Sequence, residues 1–224
     1  MSAFGRAMMD QIRYPERQVV FQLSAMGTTI PCSCQDFIRI RPEEHRLIRD
    51  CLRGIDCPRV LDIGCGVGRH AALVRSFSPE ARLTLVETDP GLLSHAGDAL
   101  PGSETLERIG QLRADSKFDL VLLMGNGLGV FGTEQATREG LGGLARMLSE
   151  NGRALIEAGN FLGQTFSEIR HTLMYGGASD NFLWGYASRA WVDAELEATG
   201  MVAESHTQST QGGPFFIVKA ALTH

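Results

Sequence analysis

Two carboxylates and three glycines carry the chemistry most legible in this chain of 224 residues. Gly64, Gly66 and Gly68 stand at alternate positions, directly after the run Val60-Leu61-Asp62-Ile63. Glycine accepts backbone angles and close approaches that a Cβ would block, so such a loop can hold a ligand against its main chain. A helix starting at Arg69 would aim unpaired N–H groups and a positive dipole end into that loop. Asp62 puts a carboxylate at the same point, where it repels a pyrophosphate and attracts a cationic or amino group. Glu87 lies twenty-five positions further on, after a second apolar run. That is near the spacing of about 20 at which a strand-end acid grips ribose hydroxyls.

These residues need a particular scaffold. Val60, Leu61 and Ile63 suit a buried parallel strand, followed by a helix over 69–77. Arg82 to Val86 reads as the second strand, with Thr88-Asp89-Pro90 opening a helix that Pro101-Gly102 breaks. A third strand is expected over 104–109 and a fourth over 118–124. The loop Gly125-Asn126-Gly127-Leu128-Gly129 then falls at the carboxyl edge of the sheet, where open α/β sheets bind ligands. Apolar positions at Leu141, Leu144, Ala145 and Leu148 predict a one-sided helix over 132–148. Glu150-Asn151-Gly152 turns the chain into a fifth strand, Arg153 to Glu157.

The spacing Gly-x-Gly-x-Gly, guarded by an acid, departs from the Gly-x-Gly-x-x-Gly of dinucleotide-binding folds. Leu-Asp-Ile-Gly-Cys-Gly-Val-Gly resembles the first motif of class I S-adenosylmethionine-dependent methyltransferases. Leu-Ser-Glu-Asn-Gly-Arg-Ala-Leu-Ile-Glu resembles the segment leading into and forming their fifth strand. The resemblance spans roughly 60–157 and implies a small-molecule methyltransferase with S-adenosyl-L-methionine as cofactor. By that resemblance Asp62, Gly64, Cys65, Gly66, Gly68, Glu87, Thr88, Ile109, Met124 and Gly125 would contact the cofactor. One departure concerns adenine: Arg108-Ile109-Gly110-Gln111-Leu112 lacks the aspartate that often follows the third strand, leaving backbone groups near Ile109 to substitute.

The flanks are less regular. Residues 1–55 are expected to form a cap, with a helix before Pro15, a hairpin turning at Gly27 and a helix from Pro42 to about Arg53. Its role is either to cover the cofactor and wall the acceptor pocket, or to act as a structural or dimerising element. The aromatic- and glycine-rich stretch 158–188 predicts an inserted hairpin, 171–175 against 181–186. Ser188 caps a helix ended by Gly200, and strands at 201–207 and 214–221 form a terminal antiparallel hairpin about Gln211-Gly212-Gly213. The expectation is one α/β domain: a doubly wound, Rossmann-like, mostly parallel sheet of seven strands around the core 56–157, with the cap, the insertion and a C-terminal helix and hairpin over 189–224. Asn126, Tyr175, Trp184 and Tyr186 are the acceptor-side candidates. Asn126, His70 and His171 are weak candidates for catalysis, with local packing as the alternative for each.

A net charge of −5 leaves no electrostatic footprint for nucleic acid or an anionic membrane, and no apolar run approaches the ~20 residues of a membrane span. The fourth strand ends in Asn-Gly-Leu-Gly, without the proline and aromatic residue that nucleobase amino-methyltransferases place there. Five cysteines follow neither a disulfide framework nor a zinc pattern, and the first residues lack a signal-peptide core, so a reduced cytoplasmic protein is expected. The resemblance then implies a small-molecule partner methylated on N or O, as in natural-product biosynthesis, with a homodimer among the options. Alternatives are a protein or peptide methyltransferase, an NAD-dependent oxidoreductase and a non-catalytic cofactor-binding subunit. Gly66→Val is expected to abolish cofactor binding while the sheet persists, as calorimetry beside circular dichroism would measure.

Overall fold

A computed structural model describes residues 1–210 and 214–223. The chain opens with helix α1 (Ala3–Arg13), strands β1 (Val20–Ala25) and β2 (Thr28–Ser33), the short helix α2 (Gln35–Ile38) and helix α3 (Pro42–Leu52). The alternating core follows: β3 (Arg59–Ile63), α4 (Arg69–Phe77), β4 (Arg82–Val86), α5 (Pro90–Ala99), β5 (Glu104–Leu106), β6 (Phe118–Leu123), α6 (Glu134–Met147) and β7 (Leu148–Gly159). Strands β8 (Phe166–Tyr175) and β9 (Ala178–Ala187), helix α7 (Arg189–Ala198) and strands β10 (Met201–Gln208) and β11 (Phe215–Leu222) complete it.

The main sheet has seven strands in the order β10-β11-β7-β6-β3-β4-β5. Strands β3 to β7 pair in parallel, and β11 joins antiparallel to β7 and to β10. Alternation along each strand feeds two apolar layers. Leu61, Val121, Ile156 and Val218 pack with Leu141 and Leu144 of α6 and with Val192 and Leu196 of α7. Val60, Leu85, Leu120, Leu122 and Ile217 face Ile48 of α3, Val74 of α4 and Ala96 of α5. Burial on both faces explains why these strands read as continuous apolar runs. The chain moves outward from β3 to β5 and returns to β6 on the other side of β3, so the topological switch lies between β3 and β6.

Some boundaries differ from those expected. The third strand stops at Leu106, because Ile109–Gln111 turns into a 3-10 helix. The fifth core strand starts at Leu148, and the turn expected at Glu150-Asn151-Gly152 is instead an irregularity in its pairing with β6. The inserted hairpin is longer than 171–186 and turns on Gly176 and Gly177 alone, both at positive φ. The turn expected at Gln211-Gly212-Gly213 lies outside the described residues.

The largest difference is that the two peripheral hairpins are one structure. Strands β1 and β8 pair antiparallel, giving a second sheet in the order β2-β1-β8-β9. Helix α1 fills its inner face, where Ala7 and Met8 meet Phe21, Leu173 and Leu92 of α5, with Val67 of the glycine loop packed alongside. The second sheet is seated on the main one at the loop after β6. There Gly129 is buried, and a Cβ on it would lie 1.8 Å from Nε1 of Trp184. Gly129→Ala is therefore expected to cost about 1–3 kcal/mol by overpacking. Urea denaturation followed by tryptophan emission would show this as a lower midpoint at an unchanged slope.

Candidate active site

The glycine loop is anchored from below. The N–H groups of Gly64 and Cys65 both donate to the Val86 carbonyl, at 2.8 and 3.1 Å, and Gly68 N–H donates to Cys65 O at 2.9 Å. All three glycines have positive φ, but they serve different ends. A Cβ on Gly68 would press on Ala96 and Leu100 of α5 at 3.2 Å, so that glycine lets α4 and α5 approach. Cβ atoms on Gly64 and Gly66 would meet nothing within 4 Å. Their bare backbone faces open space, the cradle expected for a ligand.

The two acids differ in environment. Asp62 is 2% exposed, and its Oδ2 has no hydrogen-bond partner among the described residues. Burial pushes its pKa up, partly offset by His70 and Arg69. Glu87 is half-buried at the rim. Its Oε2 accepts from Gly66 N–H at 3.0 Å and its Oε1 from Asp89 N–H at 3.0 Å, so the second acid reaches the glycine loop directly. Asp89 is spent elsewhere: its Oδ1 caps α5 through Gly91 and Leu92 N–H, and its Oδ2 accepts from Ser2 N–H at 2.6 Å. Thr88 is exposed beside Glu87, Met124 is buried at the end of β6, and Ile109 opens the 3-10 turn after β5. Cys65 is buried, and burial with Asp62 and Glu87 nearby pushes its thiol far up, so it stays neutral.

Sequence reasoning missed the charged cluster beside this cradle. Arg41, 7% exposed, forks onto Glu157 at the end of β7 at 2.7 and 2.8 Å, and reaches Glu44 and Ser209, each at 2.5 Å. Glu44 also accepts from both terminal nitrogens of Arg69 at 3.0 Å and from Nε2 of His70 at 3.1 Å. His70 is thus a buried structural partner of Glu44. Glu157 Oε2 in turn accepts from the N–H groups of Gly125 and Asn126, at 2.6 and 3.1 Å. Asn126 stands in the left-handed region at φ 55°, with its buried Oδ1 unpartnered among the described residues. The only trace in the sequence was the pair of acids after Pro42, which also suits an ordinary helix start.

The acceptor-side candidates separate. Tyr175 donates to Asp10 of α1 at 2.8 Å, so it ties the cap to the second sheet. Trp184 covers Gly129. Tyr186 and His171 are buried together, with Oη and Nε2 3.0 Å apart. Helix α1 closes over one side of the cradle: Ser2 N–H holds Asp89, and Phe4 N–H donates to Asp180 of β9 at 3.0 Å. A shallow hollow lined by Arg59, Lys117 and Glu150 lies at the opposite, amino edge of the parallel strands, away from these groups.

Known proteins match the same region. A family model described as "Methyltransferase domain" covers residues 60–152. That stretch is similar to a methyltransferase domain. Among curated relatives, a trans-aconitate 2-methyltransferase of Rhodopseudomonas palustris (strain BisB18) is 37% identical over 76 residues, which is 33% of this chain and 30% of that protein. The Escherichia coli O157:H7 protein of the same name is 36% identical over 69 residues, 31% of this chain and 27% of its own length. The chain thus matches less than a third of the length of these relatives. A solved S-adenosylmethionine-dependent methyltransferase of Bacteroides fragilis, in complex with S-adenosyl-L-homocysteine, superposes with a TM-score of 0.80 at 15% identity, over 100% of this chain and 95% of that one. A Burkholderia thailandensis 1,6-didemethyltoxoflavin-N1-methyltransferase superposes at 0.60 with 16% identity, over 81% and 76% of the two chains. The chain shares its fold with these solved S-adenosylmethionine-dependent methyltransferases. No helix among the described residues is long and apolar enough to cross a membrane.

Burial alone would raise the pKa of Glu44, but hydrogen bonds and charges from His70, Arg41 and Arg69 hold it far below the usual carboxylate range. A depressed carboxylate contributes stability above its unfolded pKa of about 4.3, and that contribution is lost as pH falls below it. Glu44→Gln is expected to cost about 3–5 kcal/mol at neutral pH, as for other broken buried pairs. It should also flatten the acid limb of stability against pH, measured by denaturant unfolding from about pH 6 to pH 3.

Proposed function

We propose that this chain transfers a methyl group from S-adenosyl-L-methionine to an N or O atom of a small molecule. The observation that carries the reading is the open cradle of Gly64 and Gly66, with Glu87 hydrogen-bonded to Gly66 N–H on one side and the orphaned Oδ2 of Asp62 on the other. In this reading Glu87 grips the ribose hydroxyls, beside the exposed Thr88 hydroxyl. Asp62 answers the amino group, whose positive charge would repay the burial of that carboxylate. Cys65 and Gly68 shape the loop, Met124 and Gly125 wall the end of β6, and backbone groups at Ile109 meet the adenine.

When bound, S-adenosyl-L-methionine supplies an activated methyl group on a sulfonium, so this chain's residues have to align an acceptor and exclude water. Helix α1 and the inserted sheet supply that cover. Asn126 is the acceptor-facing residue of the core. Glu157 holds its backbone in a strained conformation, and its free Oδ1 can accept from an N–H or O–H of the acceptor. A small acceptor, handled in the cytoplasm, fits a site with α1 on one side, and the five free thiols. Trans-aconitate and 1,6-didemethyltoxoflavin, named for two of the similar proteins, show how widely acceptors vary on this scaffold.

Calorimetry is expected to show micromolar binding of S-adenosyl-L-methionine and its demethylated product, about −8 kcal/mol. No binding of either, beside tight binding of NAD, would overturn the reading. Glu87→Ala should weaken binding by about 1.5–3 kcal/mol, the range for hydrogen bonds to a charged group. Equal affinities at the same salt concentration would remove Glu87 from the site.

A further inference from the structure

The inner face of the second sheet carries a polar pair that the cofactor does not need. Register sets His171 opposite Phe182 and Ser167 opposite Tyr186, so His171, Trp184 and Tyr186 share one face. His171 stacks on Phe182, with centroids 5.4 Å apart and planes 19° apart. Tyr186 meets Phe161 edge-on at 5.1 Å, and Phe161 meets Phe215 at 5.0 Å. Phe215 lies against Gly159, two residues beyond Glu157 at the end of β7. This chain of rings brings the pair to the carboxyl edge of the main sheet, on the same side as Asn126.

His171 is 5% exposed, and one ring nitrogen is engaged by Tyr186. The other, Nδ1, is shielded from water and has no partner among the described residues. A buried polar atom without a partner costs about 1–3 kcal/mol, so it calls for an explanation. The neighbours supply no charge. Burial holds the Tyr186 phenol up near 12, helped by Cys32, and burial raises the Cys32 thiol as well. Burial likewise lowers the pKa of His171, which favours a neutral ring at neutral pH. A neutral imidazole held through one nitrogen, with the other free in an apolar, aromatic-lined site, has the form of a general base.

We propose that His171 takes the proton of the methyl acceptor at Nδ1, oriented by Tyr186, and that the acceptor is therefore protic, a hydroxyl or an ammonium group. This rests on the methyl-transfer reading above. In the required tautomer Nε2–H donates to Tyr186 Oη, 3.0 Å away, leaving the Nδ1 lone pair for the acceptor's X–H. Loss of the X–H proton leaves its bonding pair on the acceptor; as an acceptor pair then bonds the methyl carbon, the carbon–sulfur bond breaks and its pair stays on sulfur, which becomes a neutral thioether. The X–H proton passes to Nδ1, and the resulting imidazolium returns it to water. Phe161, 51% exposed and edge-on to Tyr186, is the side chain that yields as the acceptor enters.

The test uses the full chain with methyl-tritiated S-adenosyl-L-methionine and two acceptor sets on one ring scaffold. The protic set is phenol, benzyl alcohol and benzylamine; the aprotic set is benzoate and thioanisole. Transfer to the protic set is expected, with a rate that rises as pH passes upward through the titration of His171. His171→Gln should lose about 10²-fold or more in kcat and flatten that limb, with cofactor affinity unchanged. Tyr186→Phe should keep a limb at a shifted pH with a smaller loss, which a purely structural role would not produce. If His171→Gln does not fold, the Tyr186→Phe profile decides, and a limb identical to wild type overturns the proposal. Transfer only to the aprotic set overturns it too, as does a wild-type rate and limb in His171→Gln, or a cofactor-loaded protein that methylates neither set. Absence of cofactor binding would instead sink the methyl-transfer reading itself.

Discussion

A guanidinium taken out of water must be surrounded by acceptors, and Arg41 is the point where this chain meets that requirement. Its partners come from segments far apart in sequence: Glu44 on α3, Glu157 on β7 and Ser209 after β10. Each of those groups has further obligations. Glu157 holds the backbone of Gly125 and Asn126, while Glu44 holds Arg69 and His70 at the start of α4. A buried ion pair replaced by apolar packing is often neutral for stability, whereas one broken partner costs about 3–5 kcal/mol. The network therefore acts less as glue than as a condition on assembly. The cap, the glycine-loop helix, the loop after β6 and the terminal hairpin all have to be in place together.

The cofactor cradle sits beside this network and works by contrast. Glu87 stands at the rim and accepts from two backbone N–H groups, while Asp62 is dry and incompletely hydrogen-bonded. The proposed amino-group contact would give that orphaned oxygen its missing partner. The open space above Gly64 and Gly66 is the steric counterpart: backbone strain is accepted so that no side chain fills the ligand's volume. Helix α1 then links this cradle to the second sheet through Ser2, Phe4 and Asp10, which bond Asp89, Asp180 and Tyr175. Helix α1 and the second sheet thus form one layer beside the glycine loop.

Much of the main sheet was legible in the sequence. A strand buried on both faces has no polar alternation, so 60–63, 82–86 and 118–123 stood out as apolar runs between helix signals. Cap residues Asp89 and Ser188 marked helix starts because their side chains answer unpaired N–H groups within a turn. Alternate glycines and the two strand-end acids are local patterns too, and the structure brings them together through the Glu87–Gly66 hydrogen bond. Boundaries were lost where local signals compete: the turn chemistry of Glu150-Asn151-Gly152 was overruled by the pairing of β7 with β6 and β11.

Long-range partners were not legible, because a side chain's neighbours across the fold leave no trace at its own position. Nothing near Arg41 announces Glu157, 116 residues away, and nothing in either hairpin says that β1 will pair with β8. Tyr175, Trp184 and Tyr186 looked alike as aromatic residues of one inserted hairpin. Only packing distinguished a tie to α1, a seat on Gly129 and a partner for His171. The sequence by itself determined the strand pattern, the glycine loop and the acids flanking it, since those follow from local backbone freedom and burial period. Tertiary structure decided which polar atoms are paired and which remain free, because hydrogen bonding in a dry interior is settled only once every segment is in place.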